Sequence, residues 1–350
     1  MGGNALTDAN TRRVDREEYL QIAASVVIRV RSQLAAIQPS QPSRRVKDIA
    51  AYHTKETFGD LDVLVETFSG DQIDYMEFIK TEFGPKQIVH NSHVYSFDYM
   101  DFQVDLILTP TEDYDTSMSY YSWNDLGNLA GRIYKKLGFK YGHKGLSYMF
   151  RKDDETYSVY GEVVVSRDIK QILEFGDLNH DQFMAGFSTI DEMFLWVSAS
   201  KYFHKDIYLL HNRNHTSRTR DKKRKIYNAF LTWCETAPNL PTYPWTEMRE
   251  QDGYAGKPEF LKLALSQFDG FQEVHDRVQL DYKNDLTARA KFNGDVVAAL
   301  TGTSGKDLGM FMQHFIKVHG GKDKCWATVL ALTSSDIDTL IVAEYNRFIA

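Results

Sequence analysis

Gly59-Asp60-Leu61-Asp62-Val63-Leu64-Val65 puts two aspartates, one residue apart, at the head of a branched apolar run. A second such run, Gln103-Val104-Asp105-Leu106-Ile107-Leu108, carries a third aspartate. Side chains on a strand alternate between faces, so Asp60 and Asp62 share one face while Leu61, Val63 and Val65 turn to the other. On the second run Asp105 opposes Val104, Leu106 and Leu108. Laid side by side, the two strands gather three carboxylates on one face. Like charges a few ångströms apart repel strongly, and hard divalent cations with oxygen ligands relieve that repulsion. Taken alone, an Asp-x-Asp pair after glycine is equally the start of an ordinary strand. Between the runs, residues 74–83 set Tyr75, Met76, Phe78, Ile79 and Phe83 at helical spacing behind Asp74.

Working outward, residues 15–37 read as a long helix capped by Asp15, with Tyr19, Ile22, Val26, Val27, Val30 and Leu34 three and four apart. Gln38-Pro39-Ser40-Gln41-Pro42-Ser43 breaks it. The α+β segment follows, and from about residue 166 helical periodicity takes over. The resulting division is an N-terminal helical segment at 1–45, a catalytic α+β domain at 46–165 and a helical domain at 166–350. Thr189 and its neighbours open a helix running into Met193, Phe194, Trp196, Val197 and Tyr202, aromatics that read as core. Ser335 and Asp338 read as a capping box for the last helix.

The chain has 350 residues, is 43% hydrophobic and 25% charged, and carries a formal charge of −7. That length supports two domains with proper cores. No run approaches the apolar length of a membrane span. The start lacks a secretory apolar core and has Leu6 where a myristoylation signal wants Ser or Thr. Two cysteines, Cys234 and Cys325, form neither a metal-ligand spacing nor a disulfide framework. A cytoplasmic protein with no membrane partner is the expectation. His90 and His93, three apart on one strand, would face opposite sides and make a poor metal pair. The acidic balance is broken once: Arg213, Arg218, Arg220, Lys222, Lys223, Arg224 and Lys225 stand against the single acid Asp221. Such a block neutralises phosphates, or is simply a solvated helix start. Ile226, Tyr227, Phe230, Leu231 and Trp233 follow as the apolar side of a helix.

Tyr52-His53-Thr54-Lys55-Glu56-Thr57-Phe58-Gly59-Asp60-Leu61-Asp62-Val63-Leu64-Val65 resembles the catalytic segment of the DNA polymerase β-like (family X) nucleotidyltransferases. The likeness continues through Tyr120-Tyr121-Ser122-Trp123-Asn124-Asp125, Asn128 to Arg132, Lys135 to Lys140 and Lys144-Gly145-Leu146, covering about residues 45–151 in order. It implies a palm-like mixed sheet. It further implies Asp60 and Asp62 on two Mg²⁺ ions (Mn²⁺ being possible), and Asp105 on the catalytic ion beside the acceptor hydroxyl. Tyr120 and Tyr121 would lie by the incoming sugar, Asp125 and Asn128 by the base, and Ala51 and Lys55 by the triphosphate, whose phosphates fall near the turn at 50–57. Four positions depart from the pattern: Ala50-Ala51 replaces a Gly-Ser, His53 or Thr54 an arginine, and Trp123 a glycine. Separately, Lys291 to Leu300 with Gly305-Lys306-Asp307-Leu308-Gly309 resembles the helical body of tRNA CCA-adding and poly(A) polymerase enzymes. A packed pair of helices explains the same residues.

The function implied is metal-dependent transfer of a nucleoside monophosphate from a nucleoside triphosphate to a 3′-hydroxyl, releasing pyrophosphate. Absence of a recognisable helix-hairpin-helix or lyase-like segment favours an RNA or tRNA end, without template, over DNA. Arg218, Arg220, Lys222, Lys223, Arg224 and Lys225 would bind the nucleic acid. Two alternatives stand beside it: a family X-like DNA polymerase or terminal transferase, and nucleotidyl transfer to a protein, of a toxin-like or regulatory kind. A fold that merely binds nucleic acid is a further competitor, opposed by the intact aspartates.

Overall fold

A computed structural model describes residues 5–152, 158–249 and 257–350. The chain forms two compact units, Met1–Phe268 and Asp269–Ala350, and its class is α+β with a mixed sheet and a mostly helical remainder. The first unit opens with β1 (Val14–Asp15), α1 (Arg16–Ile37), β2 (Val46–Asp48) and β3 (Thr57–Phe58). Then come β4 (Asp60–Thr67), α2 (Tyr75–Phe83), β5 (Ile88–Asn91), β6 (Val94–Tyr99) and β7 (Phe102–Pro110). Helices α3 (Tyr114–Tyr121) and α4 (Leu126–Leu137) lead to the hairpin strands β8 (Lys140–Gly142), β9 (Gly145–Arg151) and β10 (Val159–Ser166). Among the described residues the α-helices that close the unit are α5 (Ile169–Phe175), α6 (His180–Ala185), α7 (Ile190–Ser198), α8 (His215–Asp221), α9 (Lys225–Thr236) and α10 (Pro258–Gln267).

The five-stranded sheet runs in the order β2-β4-β7-β6-β5. β4 and β7 lie side by side and parallel, with Asp62 opposite Asp105 and Asp60 opposite Gln103. Every other pairing in this sheet is antiparallel. One face is apolar as the period of two predicts: Leu61, Val63, Val65, Val104 and Leu106 are buried against Tyr19, Ile22, Val26, Val30 and Leu34 of α1 and Phe78 and Ile79 of α2. Each such side chain contributes about 1.5–3 kcal/mol when fully buried. The other face is not polar throughout. Beyond the carboxylates, Leu64 and Ile107 are buried with Ile49 under Tyr114 at the head of α3. The acids therefore occupy only one end of a sheet covered on both sides.

Three local expectations need correction. Helix α1 is, by length and composition, apolar enough to cross a bilayer, against the reading that no run approaches that length; its apolar stripe is spent in the core just described. His93 lies in the β5–β6 turn, so it shares no strand with His90, and its ring packs against His143. In the second unit, α11 (Phe271–Lys291), α12 (Gly294–Thr301), α13 (Gly305–Val318), α14 (Lys322–Ala331) and α15 (Ser334–Ile349) surround their own core. There the cap of α15 is Thr333, whose hydroxyl accepts from the Asp336 amide and donates to the Asp336 carboxylate. The box is thus Thr333–Asp336, and not Ser335–Asp338. Asn293 caps α12, and Phe311 and Phe315 of α13 are buried, with Leu308, Met312 and Ile316 packed beside them.

Candidate active site

Asp60 and Asp62 stand on the first turn of pleat in β4, and Asp105 on β7 beside them. One carboxylate oxygen from each lies within 4.8 Å of the others. Asp105 has support that the sequence reading missed. Gln103, two residues back on the same face, donates Nε2–H to both its oxygens at 3.0 and 3.1 Å and is itself fixed by accepting from the Ala5 amide. Ser96, opposite Asp105 on β6, adds a further hydrogen bond. The i, i+2 spacing of Gln103 was readable from the sequence; the Ser96 partnership needed the β6–β7 register.

The trio is electrostatically loaded. Burial, followed by the charges of Asp60 and Asp105, holds the Asp62 carboxyl well above its usual range. Burial also pushes Asp105 up to about 6, helped by Asp60 and opposed by Ser96 and Gln103. Lys55 interacts with both Asp60 and Asp62; burial lowers its pKa while the two carboxylates raise it. Its ammonium sits 4.3 Å from the Phe58 ring centre, and that ring stacks on Tyr19. Three converging oxygen donors with an unmet negative charge are a donor set suited to Mg²⁺ or Mn²⁺, whose remaining positions water and phosphate oxygens fill.

The trio opens into a cavity of about 350 Å³ whose walls include Ala51, Lys55, Tyr120, Tyr121, Asp125 and Asn128. All nine positions singled out for metal and nucleotide therefore line one space. Arg132 does not: it is buried, and its guanidinium donates to the Ile207 carbonyl. Trp123 and Asn124 link α3 to α4 in consecutive left-handed conformations, φ +62° and +60°. Strain of this kind persists only where surroundings over-determine it. Here the Trp123 amide donates to the Ala50 carbonyl at 2.7 Å and its ring packs edge-on to His53 and Phe187. Asn124, also unanticipated, lines the cavity; its Oδ1 and the Asn128 Nδ2 are buried and have no hydrogen-bond partner among the described residues.

The basic segment divides three ways. Arg213 is buried and paired with the fully buried Asp221 at 2.6 Å, so it serves the fold rather than a ligand. Arg220 donates to Asn128 Oδ1 at 3.0 Å, and Arg224 pairs with Asp125; Arg224 lines the cavity itself. Arg218 and Lys222 are exposed, while Lys223 and Lys225 line a neighbouring groove. The basic segment thus also supplies part of the cavity wall.

No protein-family model matches the sequence, and no curated protein matches it. Among solved structures the chain is similar to the Leishmania infantum polymerase beta ternary gap complex, at 11% identity over 40% of this chain and 53% of that one, with a TM-score of 0.32. It is also similar to the ternary P/T complex of the same polymerase, at 10% identity over 41% and 60%, with a TM-score of 0.33. The chain thus spans somewhat over half the length of the polymerase chains it resembles.

Proposed function

We propose that the protein is a metal-dependent nucleotidyltransferase. The reading is carried by one observation: Asp62 and Asp105 face each other across parallel strands with Asp60 adjacent, at the mouth of a cavity lined by Lys55 and two tyrosines. Asp60 and Asp62 would hold two Mg²⁺ ions and Asp105 one of them. Bound there, such ions neutralise charge on the attacking and leaving oxygens of an in-line displacement. The chain's own residues do the positioning, which dominates this class of reaction. Tyr120 and Tyr121 flank the sugar, while Asp125 and Asn128 lie by the base. Asp105, steadied by Gln103 and Ser96, receives the proton of the acceptor 3′-hydroxyl as its oxygen bonds to the α-phosphorus. The α–β phosphoanhydride bond breaks, and pyrophosphate leaves with the electron pair.

The acceptor in this proposal is a nucleic-acid 3′ end, RNA or tRNA without template, with Arg218 and Lys222 exposed to meet its phosphates. Incubating the purified chain with each α-labelled ribo- or deoxyribonucleoside triphosphate, Mg²⁺, and RNA, DNA and protein acceptors tests it. Label on RNA supports the full reading. Label on DNA or on protein keeps the transferase and replaces the acceptor. No labelled product with any acceptor refutes the reading.

A further inference from the structure

The turn before the acidic pair has little backbone to offer a ligand. The amides of His53, Thr54 and Lys55 donate to the carbonyls of Phe187, Ser188 and Tyr52 at 2.9, 2.9 and 3.1 Å, and the Thr54 hydroxyl donates to Ser188 at 2.8 Å. A polyphosphate lying along this turn must be held chiefly by side chains. Beside the first cavity a second groove of about 940 Å³ shares Lys55, Asp60, Asn124, Asp125 and Ile226 with it. Arg13 stands on its walls, as do Lys223 and Lys225 from the approach to α9. Arg13 is pre-oriented, its Nη2 donating to the Thr57 carbonyl and hydroxyl at 2.9 Å. Among the described residues Arg13, Lys55, Lys223 and Lys225 form no ion pair, unlike the neighbouring Arg12 with Glu18 and Arg224 with Asp125.

We infer that this groove holds the β- and γ-phosphates of the nucleoside triphosphate, contacted by Arg13, Lys55, Lys223 and Lys225. The inference rests on the nucleotidyltransferase reading and adds residues from the N-terminal arm and the α8–α9 junction to its site. Position decides in favour of the triphosphate tail over the acceptor strand. The groove meets the trio at Asp60 alone, whereas Asp62 and Asp105 face only the first cavity. Since Asp105 marks the attacking side, a groove reaching only Asp60 lies on the leaving side. Four cations there offset the charge that pyrophosphate gains as it departs.

Calorimetric binding of inorganic tripolyphosphate, as its magnesium complex, to the full chain and to a Lys223→Gln/Lys225→Gln variant tests this. Both lysines are exposed, so the variant keeps its fold. Its Kd for tripolyphosphate should rise about tenfold, equivalent to about 1.4 kcal/mol. Affinity for a nucleoside monophosphate should stay as in wild type, and Arg13→Gln should reproduce the pattern. Unchanged tripolyphosphate affinity overturns the inference, as does a loss confined to the oligonucleotide, which would make the groove an acceptor track. Wild-type protein that binds no tripolyphosphate also overturns it. Binding is read without transfer, so the two readings separate. Equal tripolyphosphate binding in an active enzyme sinks the groove alone. Cation-dependent binding in a chain that transfers no nucleotide supports the groove and sinks the transferase.

Discussion

Asp105 carries a conflict between folding and chemistry. A carboxylate held near two others in a partly buried site is costly as an anion, which is why burial and Asp60 push its pKa up to about 6. A carboxyl whose folded pKa is raised stabilises the fold below its unfolded value near 4 and loses that contribution as pH rises through 6. Metal-free protein should therefore lose about 2–3 kcal/mol between pH 4 and pH 7 from this group. Asp105→Asn removes the charge, so its metal-free Tm at pH 7.5 should exceed that of wild type by several degrees. Its rate of nucleotide transfer should fall by at least about 10³-fold. Thermal scans in chelator across pH, paired with transfer assays, check both; a variant less stable than wild type at pH 7.5 contradicts the electrostatic account. Convergence of the three aspartates was legible because strands alternate with a period of two. Ser96 was not, since nothing local in the sequence says which residue faces Asp105 across β6 and β7.

At the scale of elements, the α3–α4 junction forms part of the cavity wall, and Gly127 marks a close approach within it. A Cβ built there would meet the Tyr120 carbonyl oxygen at 2.2 Å and the Tyr120 ring at 2.9 Å, so the helices approach as closely as they do only because no side chain intervenes. Gly127→Ala should cost about 1–3 kcal/mol through overpacking and, by displacing Tyr120, raise KM for the nucleotide more than it lowers kcat. Denaturant unfolding together with steady-state kinetics measures the two effects; unaltered stability and KM would show that the junction yields freely. Helices α1 and α2 were readable from their apolar spacing, and α1 also from its cap Asp15; that Asp74 caps α2 came from the structure. The cap of α15 was not, because Thr333-x-x-Asp336 and Ser335-x-x-Asp338 fit the same pattern in two registers. Only the point where the helix begins separates them. The left-handed Trp123 and Asn124 also escaped notice: asparagine adopts that region more readily than most residues, but tryptophan gives no such signal.

Across the whole molecule, an acidic chain with formal charge −7 concentrates cations on one segment of its first unit. Periodicity identified that segment but not its destination: the Arg220–Asn128 and Arg224–Asp125 pairings span 92 and 99 residues, and such distant contacts belong to the tertiary fold. Arg218 and Lys222 should carry the salt-sensitive part of acceptor binding. Replacing both by Gln should lessen the slope of log K against log salt concentration by about 1.4, as two single-strand phosphate contacts require; an identical slope would place the acceptor elsewhere. The central claim is that Asp60, Asp62 and Asp105 jointly hold divalent cations for nucleotide chemistry. Titration of Mn²⁺ into wild type and Asp105→Asn, with a non-hydrolysable nucleoside triphosphate present and bound metal read by electron paramagnetic resonance, tests it most directly. Two ions per chain in wild type, with the Asp105→Asn variant losing one, is the predicted result. Equal stoichiometry and affinity in the two proteins, or no binding in either, would contradict it.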